Sequence, residues 1–315
     1  MGDESVKKGW VPSFLNPYDA PGRWWKVAIH AHTDKSDGHV TPEQAVAAYR
    51  RLGCDALAIT DHDHVTLLPR HRGRPLLIPA VEVTRGIPHV LYLGARPGGQ
   101  LRLGNRGLAD TVRRIARRGG LAVVSHPSWS GLATMDLLKV RGFIGLEAYN
   151  QVCYDLNGRG SSVELWDHLL GLGRRVWGFS DDDAHFDRNS LRGGPGYAWL
   201  WVKTPRLAVR DLLRALREGR FHGTQGPRIY SLACRRGRFV LRTSPAVRLH
   251  AISAGEGAGG AWMSPRRPRT SWTVDIMRDK LNVTRYIRFE VVDSRGRIAW
   301  SNPLFIARGR GIRFW

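Results

Sequence analysis

The chain has 315 residues and is 42% hydrophobic, which is long enough and apolar enough to bury a full core. It carries a formal net charge of +22 with a sequence pI near 11.1, and it has three scattered cysteines and no apolar run that could cross a bilayer. These features exclude a disulfide-rich secreted domain and a helical membrane protein, and they predict a globular protein that attracts anions.

The positive charge comes mainly from arginine. Seven of the 49 basic residues are lysines, so 42 are arginines, and they are spread along the chain. This spread is as typical of a compositional bias as of a binding surface, so nucleic acid stays an alternative partner beside a small anionic substrate. The first ten residues are polar and charged, unlike a signal peptide, and a cytoplasmic location is expected.

Short apolar runs alternate with amphipathic stretches through the first two thirds of the chain, and this pattern predicts β/α units. The predicted strands, in chain order, are Trp24–His30, Ala56–Thr60, Leu76–Glu82, His89–Leu93, Leu121–Ser125, Gly145–Ala148, Arg175–Gly178 and Tyr197–Val202.

The clearest helix start is the run Thr41-Pro42-Glu43-Gln44, in which Thr41 can cap the helix and Gln44 can complete a capping box. The other predicted helices are Ala109–Arg118, Ser161–Leu172 and a helix that starts at Thr204-Pro205 and ends near Arg217.

After Gly226 the pattern becomes that of β-structure. Arg285–Val292 alternates apolar and polar residues, and Ile298–Ile306 resumes an apolar run after a turn. The predicted organisation is an N-terminal extension over 1–23, a barrel over 24–225 and a small β-rich unit over 226–315.

The run His30-Ala31-His32 places two imidazoles on one face of an extended segment, and Asp37 follows in the next loop. Imidazole and carboxylate ligands suit zinc, iron or manganese. The alternative for an isolated pair of this kind is two ordinary surface histidines.

Further residues of ligand type occur at the ends of the other predicted strands. In a barrel of parallel strands the carboxyl ends meet at one rim, so residues that follow several strands are expected to converge there. The residues concerned are Asp61, His62, Asp63, Glu82, His89, His126, Glu147, Asp181, Asp182, Asp183 and His185.

The ordered set His-x-His, Ser-Asp-Gly, Thr-Asp-His, a strand-ending Glu, Ser-His-Pro and Asp-x-His resembles the polymerase-and-histidinol-phosphatase (PHP) family of metallohydrolases over residues 24 to 225. The segments at 81–84, 145–150, 158–162 and 299–303 are similar to its carbaryl-hydrolase-like branch. The resemblance implies a distorted seven-stranded TIM-like (β/α) barrel with two or three divalent ions, commonly Zn, Mn or Fe, and hydrolysis of phosphoesters.

Carried over residue by residue, the resemblance implies three ion sites. Asp183 is chosen from its triplet because it stands beside His185, with Asp181 and Asp182 as alternatives, and His89 has the alternative of an ordinary histidine at a strand start. The implied ligands are His30, His32, Glu82 and Asp183 for the first ion, Glu82, His89 and His126 for the second, and Asp37, His62 and His185 for the third.

The implied reaction uses metal-activated water, with Asp183 at the ions and His62 or His185 able to protonate the leaving oxygen. Asp61 and Asp63 are expected either to orient imidazoles or, for Asp61, to cap a strand end. Glu147 is expected to line the site, to orient a ligand or to make a structural hydrogen bond. The expected anchors of the substrate phosphate are Arg159, Lys35 and Arg192.

The sequence therefore predicts a metal-dependent phosphoesterase that acts on a small phosphorylated metabolite or nucleotide. The alternative reaction at the same metal centre is hydrolysis of a carbamate or carboxylester. The alternative of another class is a non-catalytic nucleic-acid-binding module, and its binding would be salt-sensitive and indifferent to loss of the metal ligands.

Overall fold

The computed structural model describes residues 13–68, 71–85, 88–96, 107–187, 193–254 and 260–307. These residues form a mixed α/β protein. Its first eleven strands are β1 (Phe14–Leu15), β2 (Arg23–Ala28), β3 (Ala56–Leu57), β4 (Leu76–Leu77), β5 (Ala80–Val83), β6 (Val90–Leu93), β7 (Leu121–Val124), β8 (Gly145–Asn150), β9 (Trp177–Asp181), β10 (Trp199–Thr204) and β11 (Phe221–Thr224).

The helices of the described residues are short, and most follow the predicted positions. A single 3₁₀ turn, Pro17–Asp19, precedes β2. The α-helices are α1 (Pro42–Arg51), α2 (Leu108–Arg117), α3 (Thr134–Leu138), α4 (Gln151–Asn157), α5 (Val163–Gly171) and α6 (Val209–Arg217).

The predicted start of α1 is confirmed and that of α6 is wrong. The Thr41 side chain accepts from the backbone N–H of Gln44, whose side chain accepts from the Thr41 N–H, which completes the capping box. Thr204 instead ends β10, where it pairs with Arg23 of β2, and α6 begins five residues later at Val209. The Thr204-Pro205 pair therefore marks the end of a strand in this chain and not the start of a helix.

Two sheets carry the strands of the first two thirds of the chain. In the five-stranded sheet the order is β5-β6-β7-β8-β9, with β6 antiparallel to both neighbours and β7, β8 and β9 parallel. In the second sheet β2, β3 and β4 are parallel, and β2 also pairs antiparallel with β10. The expectation that these strands are all parallel is therefore wrong for β6 and β10.

The predicted strand Leu76–Glu82 is two strands in the structure, β4 and β5. Pro79 separates them, because proline has no N–H with which to continue a ladder. Its carbonyl instead accepts from Gly94 and Ala95. The chain thus leaves one sheet and enters the other at this point.

The two sheets are connected near the strand ends by single backbone bridges, Ala31 with Ala184 and His62 with Glu82. No continuous ladder closes them among the described residues, and only six α-helices accompany them there. The predicted seven-stranded TIM-like barrel is accordingly not confirmed, and the coarser mixed α/β class is what the structure shows.

The strands after residue 226 extend one of these sheets and add a further one. The run Ile298–Ile306 is divided at Asn302-Pro303, where proline again interrupts the pairing. The strands are β12 (Ile229–Arg235), β13 (Arg238–Ala246), β14 (Arg248–Ser253), β15 (Ala261–Met263), β16 (Arg269–Asp275), β17 (Tyr286–Val292), β18 (Ile298–Ser301) and β19 (Leu304–Ile306).

Strands β12, β13 and β16 form a three-stranded sheet, whereas β17, β18 and β19 join the eleven-stranded sheet that also contains β2 and β10. The C-terminal strands therefore continue a sheet that begins in the first part of the chain. The boundaries at residues 23 and 225 stay predictions. Among the described helices, none combines the length and apolar character needed to cross a membrane.

The core lies on both sides of the parallel strands. Val81, Val90, Leu91, Val123 and Leu146 are fully buried, with α2 packed on β7 and α5 packed on β8. Hydrophobic burial of this extent stabilises the sheets at roughly 1.5–3 kcal/mol per large side chain. It also fixes the strand ends, from which the polar residues of the candidate site project.

Candidate metal centre

His30 and His32 follow β2 and are both fully buried. The His32 N–H donates to the carbonyl of Ala184 (2.9 Å), and the Ala31 N–H donates to the hydroxyl of Thr60 (3.0 Å). These bonds hold the segment extended, so the two imidazoles point to one side and their Nε2 atoms lie 3.1 Å apart.

Asp183 completes a first group with these histidines. Its Oδ1 lies 3.2 Å from His30 Nε2 and 3.0 Å from His32 Nε2, while its Oδ2 accepts from the side-chain amide of Asn150 (3.1 Å). Asp183 has φ near +54° and His126 near +26°, in the left-handed region that non-glycine residues rarely adopt. Strain of this kind, held by surrounding contacts, is common at functional sites.

Glu82 lies in the middle of the cluster and is fully buried. Its two oxygen atoms face different sets of imidazoles. Oε2 lies 3.4 Å from His30 Nε2, 3.6 Å from His32 Nε2 and 3.1 Å from His62 Nδ1. Oε1 lies 3.2 Å from His126 Nε2 and 3.3 Å from His89 Nδ1.

Asp37 forms a third group at the solvent side of the cluster, with its side chain about half exposed. Its Oδ2 lies 3.3 Å from Nε2 of both His62 and His185, and its Oδ1 lies 3.5 Å from His32 Nδ1. The structure therefore adds His32 to the ligands implied for the third ion. His32 and His62 each turn one ring nitrogen to this group and the other to the groups around Glu82.

The loop that carries Asp37 is held by the residues around it. The Gly38 N–H donates to the Thr33 carbonyl (2.9 Å), and a Cβ on Gly38 would come within 2.5 Å of the His32 backbone. Only glycine fits this approach, so Gly38 allows the chain to turn back and bring Asp37 over His32.

Several buried atoms in the cluster have polar neighbours within about 3.5 Å but form no hydrogen bond of acceptable geometry with them, although buried polar atoms are normally satisfied. They include Glu82 Oε2, Asp183 Oδ1, His62 Nδ1 and His89 Nδ1. Each can present a lone pair to the same small region, and three of the four groups of possible ligands in the described residues meet around Glu82 and His32. Nitrogen and carboxylate donors arranged in this way fit borderline divalent cations such as zinc, iron or manganese.

The charges within the cluster shift the pKa values strongly. Burial alone would lower the pKa of His30, but Asp183, Glu82 and Glu147 outweigh it and raise that pKa well above its usual value. Burial would raise the pKa of Glu82, and the imidazoles of His30, His126 and His62 hold it well below its usual range instead. The imidazoles therefore keep Glu82 ionised at neutral pH, as a carboxylate ligand for a cation must be.

The three successive aspartates have different environments. Asp182 accepts from the N–H groups of Gly196, Tyr197 and Ala198, each at 2.8 Å, so it holds the loop before β10. Asp181 is buried beside Glu147, and this burial and the neighbouring charge raise its pKa well above normal. Asp183 alone of the three lies against both His30 and His32.

Glu147 of β8 orients two of the candidate ligands. Its Oε1 lies 2.7 Å from His30 Nδ1, and its Oε2 accepts from the His126 N–H and the Asn150 amide, both at 2.8 Å. The side chain is fully buried. Glu147 therefore makes both the orienting and the structural contacts that were predicted as alternatives.

The hydrogen bonds described for Asp61 and Asp63 go to backbone N–H groups and hydroxyls. The expectation that these two carboxylates orient imidazoles is not matched by those contacts. Asp61 accepts from the Thr33 N–H (2.6 Å), from the Ser36 hydroxyl (2.9 Å) and from the Thr66 hydroxyl. Asp63 accepts from the N–H and hydroxyl of Thr84 at 3.2 and 3.0 Å. The capping alternative for Asp61 is the one that its contacts match.

Two of the predicted phosphate anchors, Lys35 and Arg159, lie at the surface. Lys35 Nζ is 3.1 Å from Asp34 Oδ1, and the exposed Arg159 has its N–H bound to the Asn157 side chain (3.1 Å). Arg192 lies outside the described residues. None of the contacts described for Lys35 or Arg159 connects them to the histidine cluster, so their role as anchors stays a prediction.

Asn150 was missed from the sequence, although it bonds to both Glu147 and Asp183. Asn150 is the last residue of β8, and residues at strand ends are those expected at the site. The prediction considered only ionisable groups at these positions, and including amides would have found Asn150. Trp129 was missed for a similar reason, because it stands three residues beyond His126 and carries no ligand atom.

No family model matches the chain. A search of curated proteins also finds no match. Among solved structures, a two-domain protein from Bacteroides vulgatus containing a predicted PHP-like metal-dependent phosphoesterase is similar at 16% identity and a TM-score of 0.49, with 96% of this chain and 100% of that chain covered. An amidohydrolase from Chromobacterium violaceum, solved with bound sulfate and no metal, is similar at 17% identity and a TM-score of 0.42, covering 62% of this chain and 96% of that one.

At these values the neighbours establish neither the family nor the carbaryl-hydrolase-like branch. What the chain itself shows is a mixed α/β protein whose histidine, aspartate and glutamate side chains form groups of the kind that hold divalent metal ions.

Proposed function

We propose that the protein is a metal-dependent hydrolase, and specifically a phosphoesterase. The observation that carries this proposal is the position of Glu82, a fully buried carboxylate whose two oxygens face separate sets of imidazoles. A carboxylate in this environment would be able to hold divalent cations together with the imidazoles that face each of its oxygens. An unpaired structural glutamate would instead be expected to lose its charge or to reach solvent.

Two bound divalent ions would supply Lewis-acid chemistry, since they lower the pKa of a water molecule and neutralise the oxygens of the group under attack. Side chains of the protein supply the positioning of the candidate ligands. Glu147 fixes the ring of His30, and Asn150 fixes the carboxylate of Asp183. Side chains held in this way need little reorganisation when the substrate reacts.

His62 and His185 are the candidate proton donors. Their side chains are 28% and 25% exposed, and both present Nε2 toward Asp37 at the solvent side. Asp37 and Glu82 raise the pKa of His62 to about 10 against the opposing effect of burial, so the ring would be protonated at neutral pH when no ion holds it. A protonated imidazole there can deliver a proton to the leaving oxygen.

Two of the described cysteines, Cys54 and Cys153, are poor nucleophiles. Cys54 is buried, which raises the pKa of its thiol to about 12, and Cys153 is buried near Asp183, with its pKa raised further. Neither thiol would ionise at neutral pH. Neither thiol therefore competes with metal-activated water as the attacking group in the proposed reaction.

A phosphorylated substrate is proposed because of charge. A net charge of +22 attracts anions to the surface, and the exposed guanidinium of Arg159 is suited to bind a phosphate in a bidentate manner. A neutral carbamate or carboxylester would not be attracted to this positively charged surface, although the same centre could attack its carbonyl carbon.

The test is hydrolysis by protein stripped of metal with a chelator and then loaded separately with Mn²⁺, Zn²⁺ or Fe²⁺. The panel holds phosphomonoesters, phosphodiesters, 3′,5′-bisphosphonucleotides, carbamates and carboxylesters, and Asp183→Asn is the inactive control. We expect metal-dependent release of phosphate from at least one phosphoester. Cleavage of carbamates or carboxylesters alone would replace the phosphoesterase with the alternative hydrolase, and no metal-dependent cleavage at all would overturn the proposal.

A further inference from the structure

Trp129 is an exposed aromatic side chain beside the candidate metal centre. Its indole is 39% exposed, and its ring centroid lies 5.0 Å from that of His126 at 81° and 6.1 Å from that of His89. These are the two imidazoles that face Glu82 Oε1. A large apolar surface thus borders the solvent-accessible edge of the second ligand group.

The loop that carries Trp129 is fixed by hydrogen bonds. The Ser130 N–H donates to the His126 carbonyl (3.0 Å) and the Leu132 N–H to the Pro127 carbonyl (2.9 Å). The Ser128 N–H also donates to the Ser162 hydroxyl (3.2 Å), which in turn donates to the Ser128 hydroxyl (2.8 Å). The indole is therefore presented to solvent by a braced loop and is not at a freely moving tip.

The contact between Ser128 and Ser162 also brings two loops together. Ser162 belongs to the short segment after α4 that contains Arg159, the predicted phosphate anchor. The loop that carries the exposed indole and the segment that carries the exposed Arg159 are therefore joined by hydrogen bonds. An aromatic surface next to a cation is a common way to hold a molecule that has both a planar ring and an anionic group.

We propose that Trp129 is a stacking platform for a planar aromatic group of the substrate. The proposal rests on the proposed function, since it names the substrate class of that same centre: an ester of a phosphate with a ring-bearing alcohol. The exposed part of a planar indole favours a planar partner, because aromatic rings stack with a contact that a flexible alkyl group does not reproduce. The cluster edge next to it would then receive the phosphate.

The test compares two esters that differ in the ring alone, benzyl phosphate and cyclohexylmethyl phosphate. Both release a primary alcohol, so leaving-group chemistry is closely matched. We expect wild-type protein to prefer the benzyl ester in kcat/KM by about tenfold, the scale of one aromatic contact. In Trp129→Ala the ratio of the two kcat/KM values should be close to one, while Trp129→Phe should retain part of the preference for the benzyl ester.

Trp262→Ala is the matched control, because Trp262 is 72% exposed on β15 in the C-terminal part of the chain. It should leave the preference unchanged. Metal content and the melting temperature are measured for every variant, so that a loss of fold or of metal is separated from a loss of stacking. A preference that is the same in wild type and in metal-loaded, folded Trp129→Ala would overturn the proposal.

Binding measurements distinguish a failure of the stacking proposal from a failure of the proposed phosphoesterase function. Benzylphosphonate and cyclohexylmethylphosphonate cannot be hydrolysed at their P–C bonds, and calorimetry gives their Kd values for metal-loaded wild type and Trp129→Ala. Tighter binding of the benzyl compound that depends on Trp129 supports the platform even if neither ester is cleaved. Equal binding of the two compounds, or no binding of either, contradicts it.

Discussion

Glu147 Oε1 lies 2.7 Å from Nδ1 of His30, and this contact fixes the His30 ring with its Nε2 toward Glu82 and Asp183. A carboxylate behind a ligating imidazole sets its tautomer and raises its basicity. The fully buried pair thus connects β8 to the segment after β2 through the centre of the cluster.

Replacing Glu147 should weaken metal binding without removing a proposed ligand. For Glu147→Gln we expect divalent metal affinity to fall about 10- to 100-fold, because the amide cannot supply the negative charge behind His30. The measurement is competition against a metallochromic chelator. Glu164→Gln, on the exposed surface of α5, is the matched control and should bind metal like wild type. Equal affinity in both variants would show that Glu147 has no part in metal binding.

Arg159 should act on substrate binding alone. If it anchors the phosphate, Arg159→Ala should raise KM about tenfold with little change in kcat, and Arg159→Lys should recover part of the loss because lysine keeps the charge but not the bidentate geometry. Arg141→Ala, which removes another exposed arginine, should leave both constants unchanged. Steady-state kinetics decides the matter, and an unchanged KM for Arg159→Ala would remove this residue from the site.

His222 should make stability depend on pH. It is fully buried, and burial followed by the charge of Arg228 lowers its pKa from 6.5 to about 3. The unfolded chain therefore binds a proton below pH 6.5 that the folded chain does not, so stability is complete above pH 6.5 and is lost as the pH falls. The expected loss is about 2 kcal/mol between pH 8 and 5.

The measurement is chemical denaturation at both pH values for wild type and for His222→Asn. The Asn side chain does not titrate, so the free energy of unfolding of this variant should fall by about 2 kcal/mol less over the same interval. A parallel pH dependence in the two proteins would mean that His222 does not titrate on unfolding.

Arg288 should stabilise the packing of α5 on the C-terminal strands. It is buried in β17, its Nη2 lies 2.5 Å from Asp167 Oδ2 of α5, and its Nη1 lies 2.7 Å from Glu290 Oε1. Arg288→Met should lower the free energy of unfolding by about 3 kcal/mol, because Asp167 loses its guanidinium partner and Glu290 keeps only the imidazole of His250. Arg297→Met, which removes a surface pair with Asp293, should cost less than about 1 kcal/mol. Equal losses in the two variants would contradict this role for Arg288.

Local sequence patterns predicted the strands well, and the strand ends led to the polar cluster. Glu82 could be found in this way because the residues around it are apolar and strand-forming. The predicted closed barrel is not confirmed, and the antiparallel pairing of β6 and β10 was not predicted because it depends on contacts between distant segments. The roles of Asp181, Asp182 and Asp183 also depend on distant segments. The N–H groups of residues 196–198 bind Asp182, and the sequence around the triplet does not indicate these hydrogen bonds.

The central claim is that Glu82 joins two metal-ligand groups, and elemental analysis of reconstituted protein tests it most directly. Chelator-treated wild type, Glu82→Ala and the control Glu164→Ala are each dialysed against Mn²⁺ or Zn²⁺ and analysed for bound metal per chain. Wild type and the control should hold about two or three ions, and Glu82→Ala should lose most of them while remaining folded by circular dichroism. Wild type that binds no metal, or folded Glu82→Ala that keeps the wild-type stoichiometry, would contradict the account.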